Sequence, residues 1–320
     1  MKEAVAITGA SGFLGKNLLS VIDALKMTRF ASDKIGEPST GVESVDLTQR
    51  SDLKSWLDRG SPTVIVHLGA RTDLVGRTLE DYAANTVGVE NLLSAARSLP
   101  NLRRVIFASS RMVCRIDDIP TSYEHYSPPN PYGASKVQGE RLVKSADLPF
   151  EWVIVRPTSI WGPGFGIPYR NFFDQVRKRR YFHQAGYNPL KSFGYVENTV
   201  FQLMKLIEAP AQQVNRHTFY LGDYAPIVVR QWANEIHRAF GLPGKIIEVP
   251  IGVLRVSAKV GDVVNRISGR DKAPLTTFRL QNLITNMVYP QLSELEAVTG
   301  PLPFGWREGT AKTVEWLKSA

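Results

Sequence analysis

Residues 8–15 read Thr8-Gly9-Ala10-Ser11-Gly12-Phe13-Leu14-Gly15. They follow the apolar run Ala4-Val5-Ala6-Ile7 and lead into Leu18, Leu19, Val21, Ile22 and Leu25, so they join a strand to a helix. Glycine permits the tight turn and lets a diphosphate approach the backbone. The helix start adds free N–H groups and a positive dipole end. In a first strand–helix unit, Gly9, Ser11, Gly12, Phe13, Leu14 and Gly15 are expected to cradle a dinucleotide.

The same texture repeats along the first half of the chain. Val64-Ile65-Val66, Val105-Ile106-Phe107 and Trp152-Val153-Ile154-Val155 alternate with helix patterns over 85–97 and 132–144. Short apolar runs without alternation suit strands buried on both faces. The expectation is an α/β chain: a Rossmann-type doubly wound parallel sheet with a smaller C-terminal α/β substrate lobe. The dinucleotide domain is placed at 1–163, with a return around 192–222, and the substrate lobe at 164–320. The site is expected in the cleft between them.

Composition narrows the class. The chain has 320 residues, 43 % of them hydrophobic, and a net charge of 39 − 30 = +9. That apolar share excludes extensive disorder, and no run approaches the roughly 20 apolar residues of a membrane span. A single cysteine, Cys114, excludes an intrachain disulfide and a cysteine zinc site; no metal is expected. Without an apolar leader pattern at the start, the expected compartment is the cytoplasm. The positive charge fits a basic surface or attraction to polyanions. No aromatic–basic interleaving appears, so no nucleic-acid partner is expected. Residues 251–267 are apolar with Arg255, Lys259 and Arg266 interspersed. They could lie on a membrane surface; the preferred reading packs one helix face inside the smaller lobe.

Further residues point to chemistry. Asp33 lies 33 − 9 = 24 positions after the first glycine, where an acid would hold the adenosine ribose. That favours NAD over NADP, although Lys34 could instead meet a 2′-phosphate. Asp46 could reach the adenine amino group or serve as a turn carboxylate. Tyr132 and Lys136 are i and i+4 neighbours on a helix starting at Pro131. A tyrosine hydroxyl titrates near 10, and a neighbouring ammonium lowers that value. Ser110 closes a central strand, where open parallel sheets carry their active sites.

On these residues the chain resembles the extended short-chain dehydrogenase/reductases of the NAD-dependent epimerase/dehydratase group. The likeness runs through residues 8–15, His67-Leu68-Gly69-Ala70, Asn85 with Gly88 and Asn91-Leu92-Leu93, and Ser109-Ser110. It continues through 131–136, Arg156-Pro157 with the following 158–164, and Phe193-Gly194-Tyr195-Val196-Glu197-Asn198, covering about residues 4–200. The resemblance implies Tyr132 as acid/base, Ser110 as ligand of the substrate oxygen, and Lys136 as holder of the nicotinamide ribose. It also implies cofactor contacts at Leu47, Leu68, Gly69, Ala70, Asn85 and Pro157. Substrate-diphosphate contacts are implied at Asn171 and Lys191, and a further one could come from Arg279. A homodimer through the helices at 85–97 and 132–144 is implied too.

The departures bear on the reaction. The group's dehydratases carry Asp-Glu after the Ser/Thr, whereas Arg111-Met112 stand here. Cys114 reads as a packing residue and His67 as a buried strand-end residue. Two reactions need only Ser110, Tyr132 and Lys136. The preferred one is 4-epimerisation of a nucleotide sugar in polysaccharide synthesis, with NAD. The alternative is NAD(P)H-dependent keto-reduction of a nucleotide sugar or of a steroid- or flavonoid-like molecule. A third reading is a non-catalytic NAD(P)- or RNA-binding protein. If the diphosphate contacts fail, an uncharged substrate gains ground.

Overall fold

The computed structural model describes residues 3–167, 169–268, 273 and 275–319. Seven parallel strands form its central sheet. Six are β1 (Ala4–Thr8), β2 (Thr28–Asp33), β3 (Val42–Ser44), β4 (Val64–His67), β5 (Arg104–Ala108) and β6 (Glu151–Pro157). The seventh, His217–Leu221, lies at the edge beside β6, and the order across the sheet is His217–Leu221, β6, β5, β4, β1, β2, β3. The chain leaves β1 toward β2 and β3 and then returns to β4 on the other side of β1. That reversal opens the ligand crevice typical of doubly wound sheets at the carboxyl ends of β1 and β4.

Alternate strand residues enter opposite cores, which explains the continuous apolar runs. Val5, Ile7, Val64, Val66, Ile106, Val153 and Val155 join one cluster with Leu18, Ile22, Leu203 and Ile207. Ala6, Ile65, Val105, Phe107, Trp152 and Ile154 join the other with Trp56 and Leu92. Helix α1 (Phe13–Ala24) supplies Leu18 and Ile22 to the first layer. Helices α2 (Arg50–Gly60) and α3 (Ala83–Ala96) supply Trp56 and Leu92 to the second.

The chain divides into two compact units. One comprises Met1–Ile160, Gly194–Tyr224 and Pro290–Pro303, and the other Trp161–Phe193, Ala225–Tyr289 and Phe304–Ala320. The stretch Pro290–Pro303 was expected in the smaller lobe. It joins the sheet unit because its helix Leu292–Thr299 buries Leu295 in the first core cluster, and Tyr224 Oη bonds the Gly300 carbonyl at 3.0 Å. Within the second unit, Trp232 is the centre of an aromatic cluster. Trp161, Phe172 and Phe193 lie 5.0, 5.0 and 4.8 Å from it between ring centroids.

Candidate active site

The glycine turn closes tightly on the start of α1. Gly9 has φ +71°, and a Cβ there would stand 2.6 Å from Gly69 N. A Cβ at Gly15 would meet Gly9 O at 2.3 Å. Gly12 caps α1 without any side-chain hydrogen bond, so the first-turn N–H groups keep their capacity for an anion. Ser11 Oγ is buried without a hydrogen-bond partner. A bound diphosphate would answer both features, so these residues fit a dinucleotide.

Asp33 ends β2 beside this turn. Its Oδ2 accepts from Ser11 N at 3.0 Å and its Oδ1 from Lys34 N at 2.7 Å. The carboxylate retains lone pairs for ribose hydroxyls. Lys34 directs its ammonium to Asp46 Oδ2, 3.4 Å away. Asp46 also accepts from Thr48 N and Oγ1 at 2.9 and 2.7 Å, bonds that hold its carboxyl below the ordinary range. Leu47 packs under the next segment: a Cβ on Gly69 would meet Leu47 Cδ1 at 2.7 Å.

Thr8, to which the sequence reading gave no role of its own, organises the strand ends. Its Oγ1 accepts from Gly69 N at 3.1 Å and lies 2.8 Å from His67 Nδ1. This fixes Leu68-Gly69-Ala70 across the end of β1. His67 is buried, and desolvation followed by the Lys136 charge lowers its pKa to about 3. The ring is therefore neutral. Asn85, expected at the cofactor, is turned inward. Its Oδ1 accepts from Arg71 N at 2.8 Å, while Nδ2 donates to Arg71 O and Ser135 Oγ, both at 2.9 Å. Asn85 thus ties the loop after β4 to α4 (Pro131–Ser145), the helix that carries Tyr132.

Helix α4 begins where the sequence marks it. Asn130 Oδ1 accepts from Gly133 N at 2.9 Å, and Pro131 fills the first turn. Gly133 is indispensable for close approach, since a Cβ would lie 2.3 Å from Met112 O. The start of α4 can therefore press against the short turn Arg111–Val113 that follows Ser110. Ser110 Oγ accepts from Met112 N at 3.1 Å, leaving its hydrogen to donate elsewhere. Tyr132 is buried with its ring 5.9 Å from that of Tyr82. Lys136 Nζ donates to Ala108 O at 2.9 Å. Burial lowers the Lys136 pKa to about 8, against the opposing pull of Glu140. Ser110, Tyr132 and Lys136 thus belong to one end of β5 and the first turns of α4. Pro157 closes the neighbouring strand, and Thr158, just beyond it, buries an unpartnered Oγ1.

A buried polar network, also missed from sequence, supports this corner. Glu140 accepts from Ser109 Oγ at 2.5 Å, from Arg156 Nε and Nη2 at 2.8 and 2.7 Å, and from Tyr126 Oη at 2.9 Å. The signal was its position, one turn beyond Lys136 on the same helix. A cavity of about 20 Å³ is lined by His67, Asn85, Ser109, Lys136 and Glu140 among others, room for one water. Cys114 is buried and its Sγ donates to His125 O at 3.1 Å, a packing position.

The expected diphosphate contacts behave differently, each within the second unit. Lys191 is buried, and its Nζ donates to Asn282 O at 2.5 Å and to Thr285 O. It caps the helix Thr277–Ile284, whose carbonyl end attracts a cation. Arg279 Nη1 donates to Ala273 O. Asn171 is exposed on the helix Tyr169–Arg177. Both cations expected on a substrate diphosphate, Lys191 and Arg279, are thus turned to backbone carbonyls in this structure. Among the described residues, no cluster of His, Cys, Asp or Glu could hold a metal ion.

A glycine turn on the first strand, a carboxylate closing the second, and a Ser–Tyr–Lys set at the adjacent strand ends define a dinucleotide-dependent enzyme. The chain belongs to the NAD dependent epimerase/dehydratase family, whose sequence profile matches residues 5–222, and NAD is that family's cofactor. It is 28 % identical to a 4-hydroxy-2-methyl-3-oxo-4-farnesyl-3,4-dihydroquinoline-1-oxide ketoreductase of Stigmatella aurantiaca, over 80 % of this chain and 79 % of that one. It is 26 % identical to a UDP-glucose 4-epimerase of Vibrio cholerae, over 84 % and 86 %. A solved UDP-glucose 4-epimerase of Thermotoga maritima superposes with TM-score 0.75 at 14 % identity over 99 % of both chains, a likeness of fold.

Proposed function

We propose that the chain catalyses a single reduction or oxidation, passing hydride between NAD(H) and a ketone or secondary alcohol. The substrate in this reading is uncharged and lipophilic, of the steroid- or flavonoid-like kind. One observation carries it: the cations expected on a substrate diphosphate, Lys191 and Arg279, are held by backbone carbonyls. The ketoreductase relative, which acts on a farnesyl quinoline, supports the same class.

Bound NAD supplies the hydride carrier. The protein's own residues do the rest. Ser110 donates its free hydrogen to the substrate oxygen, since Met112 N already occupies a lone pair. Tyr132 gives or takes the proton at that oxygen. Lys136, still protonated at neutral pH with its pKa near 8, would favour the tyrosinate electrostatically and would hold the nicotinamide ribose hydroxyls. Asp33 would hold the adenosine ribose and would disfavour a 2′-phosphate. A homodimer through α3 and α4 belongs to the proposal.

A second reading, nucleotide-sugar 4-epimerisation in polysaccharide synthesis, uses the same three residues. It is favoured by the epimerases among the relatives. Dehydration, the reaction named for two of the relatives, is disfavoured here, because Arg111-Met112 stand where a second acid–base pair would be needed. The test is to follow absorbance of NADH with a set of steroid- and flavonoid-like ketones, and to analyse UDP-glucose incubated with NAD for its 4-epimer. Net NADH oxidation matched by ketone loss supports the first reading. Epimer formation without net change in NADH replaces it with the second.

A further inference from the structure

The helix Ile251–Ser268 has one face packed and another open. Leu254, Ala258 and Gly261 are buried, with Leu254 and Ala258 forming a small cluster around Leu280. Gly261 allows this packing, because a Cβ there would meet Leu275 O at 1.9 Å. This satisfies the preferred sequence reading of the segment. It does not account for Val253, Val256, Val260, Val263, Val264 and Ile267, which are all exposed, Val256 by 64 % and Ile267 by 83 %.

At 3.6 residues per turn those six side chains fall in one arc about 100° wide. Arg255, Lys259 and Arg266 fall together in the next arc, all exposed. Asp262 lies at the far edge of the basic arc and accepts from Thr277 N at 3.1 Å. The helix therefore carries three sectors: packed, apolar and cationic.

We propose that this open face docks on the surface of an anionic lipid bilayer, with the valines and Ile267 in the acyl boundary and the three cations at the headgroups. An apolar stripe beside a basic stripe is the pattern of helices that lie in a membrane interface. A second copy of the chain is the competing occupant, since the 3–4 spacing from Val253 to Ile267 also suits a coiled-coil seam. The charges decide against it. Lys259 and Arg266 border the seam on one side, and Ser257 and Val264 border it on the other. A parallel partner would offer them no acid, and an antiparallel partner would set cation against cation. Anionic headgroups match the same cations. No helix among the described residues is long and apolar enough to cross a membrane, so the proposed contact is interfacial.

The inference stands apart from the catalytic reading, because its readout is sedimentation of the full chain with vesicles. Phosphatidylcholine vesicles with and without phosphatidylglycerol are the probe. The chain should sediment with the phosphatidylglycerol vesicles, and salt should weaken the association. The double variant Val256→Asp/Val260→Asp should lower the partition by about tenfold or more. Arg255→Glu/Lys259→Glu should abolish the preference for anionic lipid. Unchanged NADH affinity and thermal midpoint would show that the variants fold. Absence of vesicle binding by the parent chain overturns the proposal. So does a result in which the valine variants leave partition intact and instead abolish self-association in sedimentation velocity, which would assign the face to a second copy.

Discussion

Lys136 Nζ donates a 2.9 Å hydrogen bond to the carbonyl of Ala108, two residues before Ser110. One bond thereby joins the helix that carries Tyr132 to the strand that carries the serine. The ammonium has few partners at this depth, and burial lowers its pKa to about 8.

Removing only the Tyr132 hydroxyl tests the assigned proton transfer. Tyr132→Phe keeps the ring against Tyr82 and should still bind NADH, its affinity lowered by no more than about tenfold in a fluorescence titration. Its turnover should fall by about 10²–10⁴-fold. Retained turnover would remove Tyr132 from the proton-transfer role.

The Glu140–Arg156 pair is buried and doubly hydrogen-bonded, so removing one partner strands the other charge. Glu140→Leu and Arg156→Met alone should each cost about 3–5 kcal/mol in urea unfolding. The double variant should be less destabilised than the sum of the two, because no lone charge remains.

Asp223 gives a pH dependence of definite sign. Burial raises its pKa to about 6 from the ordinary 3.8, while bonds from Asn198 and Tyr195 oppose the rise. Between those values the folded chain holds a proton that the unfolded chain has released. Its contribution to stability is therefore full below about 4 and is lost as pH rises through about 6. Asp223→Asn should stabilise the chain relative to the parent at pH about 7.5, and the gain should shrink toward pH about 4. His67 acts in the opposite sense. Its pKa is lowered to about 3 from 6.5, so stability falls as pH drops through that window. The difference between parent and Asp223→Asn isolates the first effect from the second.

The proposal assigns cofactor choice to Asp33. Asp33→Ala removes the carboxylate that would accept from the ribose and repel a 2′-phosphate. NADH affinity should fall by about tenfold and NADPH affinity should rise or hold. Equal losses for both would show that Asp33 serves only the Ser11 N–H.

The dinucleotide half of the fold was legible because its signals are local. Gly9 and Gly15 stand at positions of a turn that no larger residue fits, and strands buried on both faces read as unbroken apolar runs. β3 escaped because Val42–Ser44 is a three-residue edge strand with one buried side chain. The return of Pro290–Pro303 escaped because eight helical residues give too little periodicity to show which core takes Leu295. At the candidate site, Tyr132, Lys136 and Ser110 were singled out by spacing and strand position, and the structure sets them at the end of β5 and the start of α4. Thr8, Glu140 and Arg156 were passed over, since their roles depend on partners 59, 31 and 16 positions away. The helix end that Lys191 bonds was hidden for the same reason: sequence shows a cation but not the carbonyls 91 and 94 positions away.

The most direct test is a crystal structure of the chain grown with NADH. The account predicts the diphosphate over Gly9–Gly15, the adenosine ribose hydroxyls on Asp33, and the nicotinamide ribose within hydrogen-bond reach of Tyr132 and Lys136. A diphosphate bound elsewhere, or a nicotinamide ribose out of reach of Lys136 and Tyr132, would contradict it.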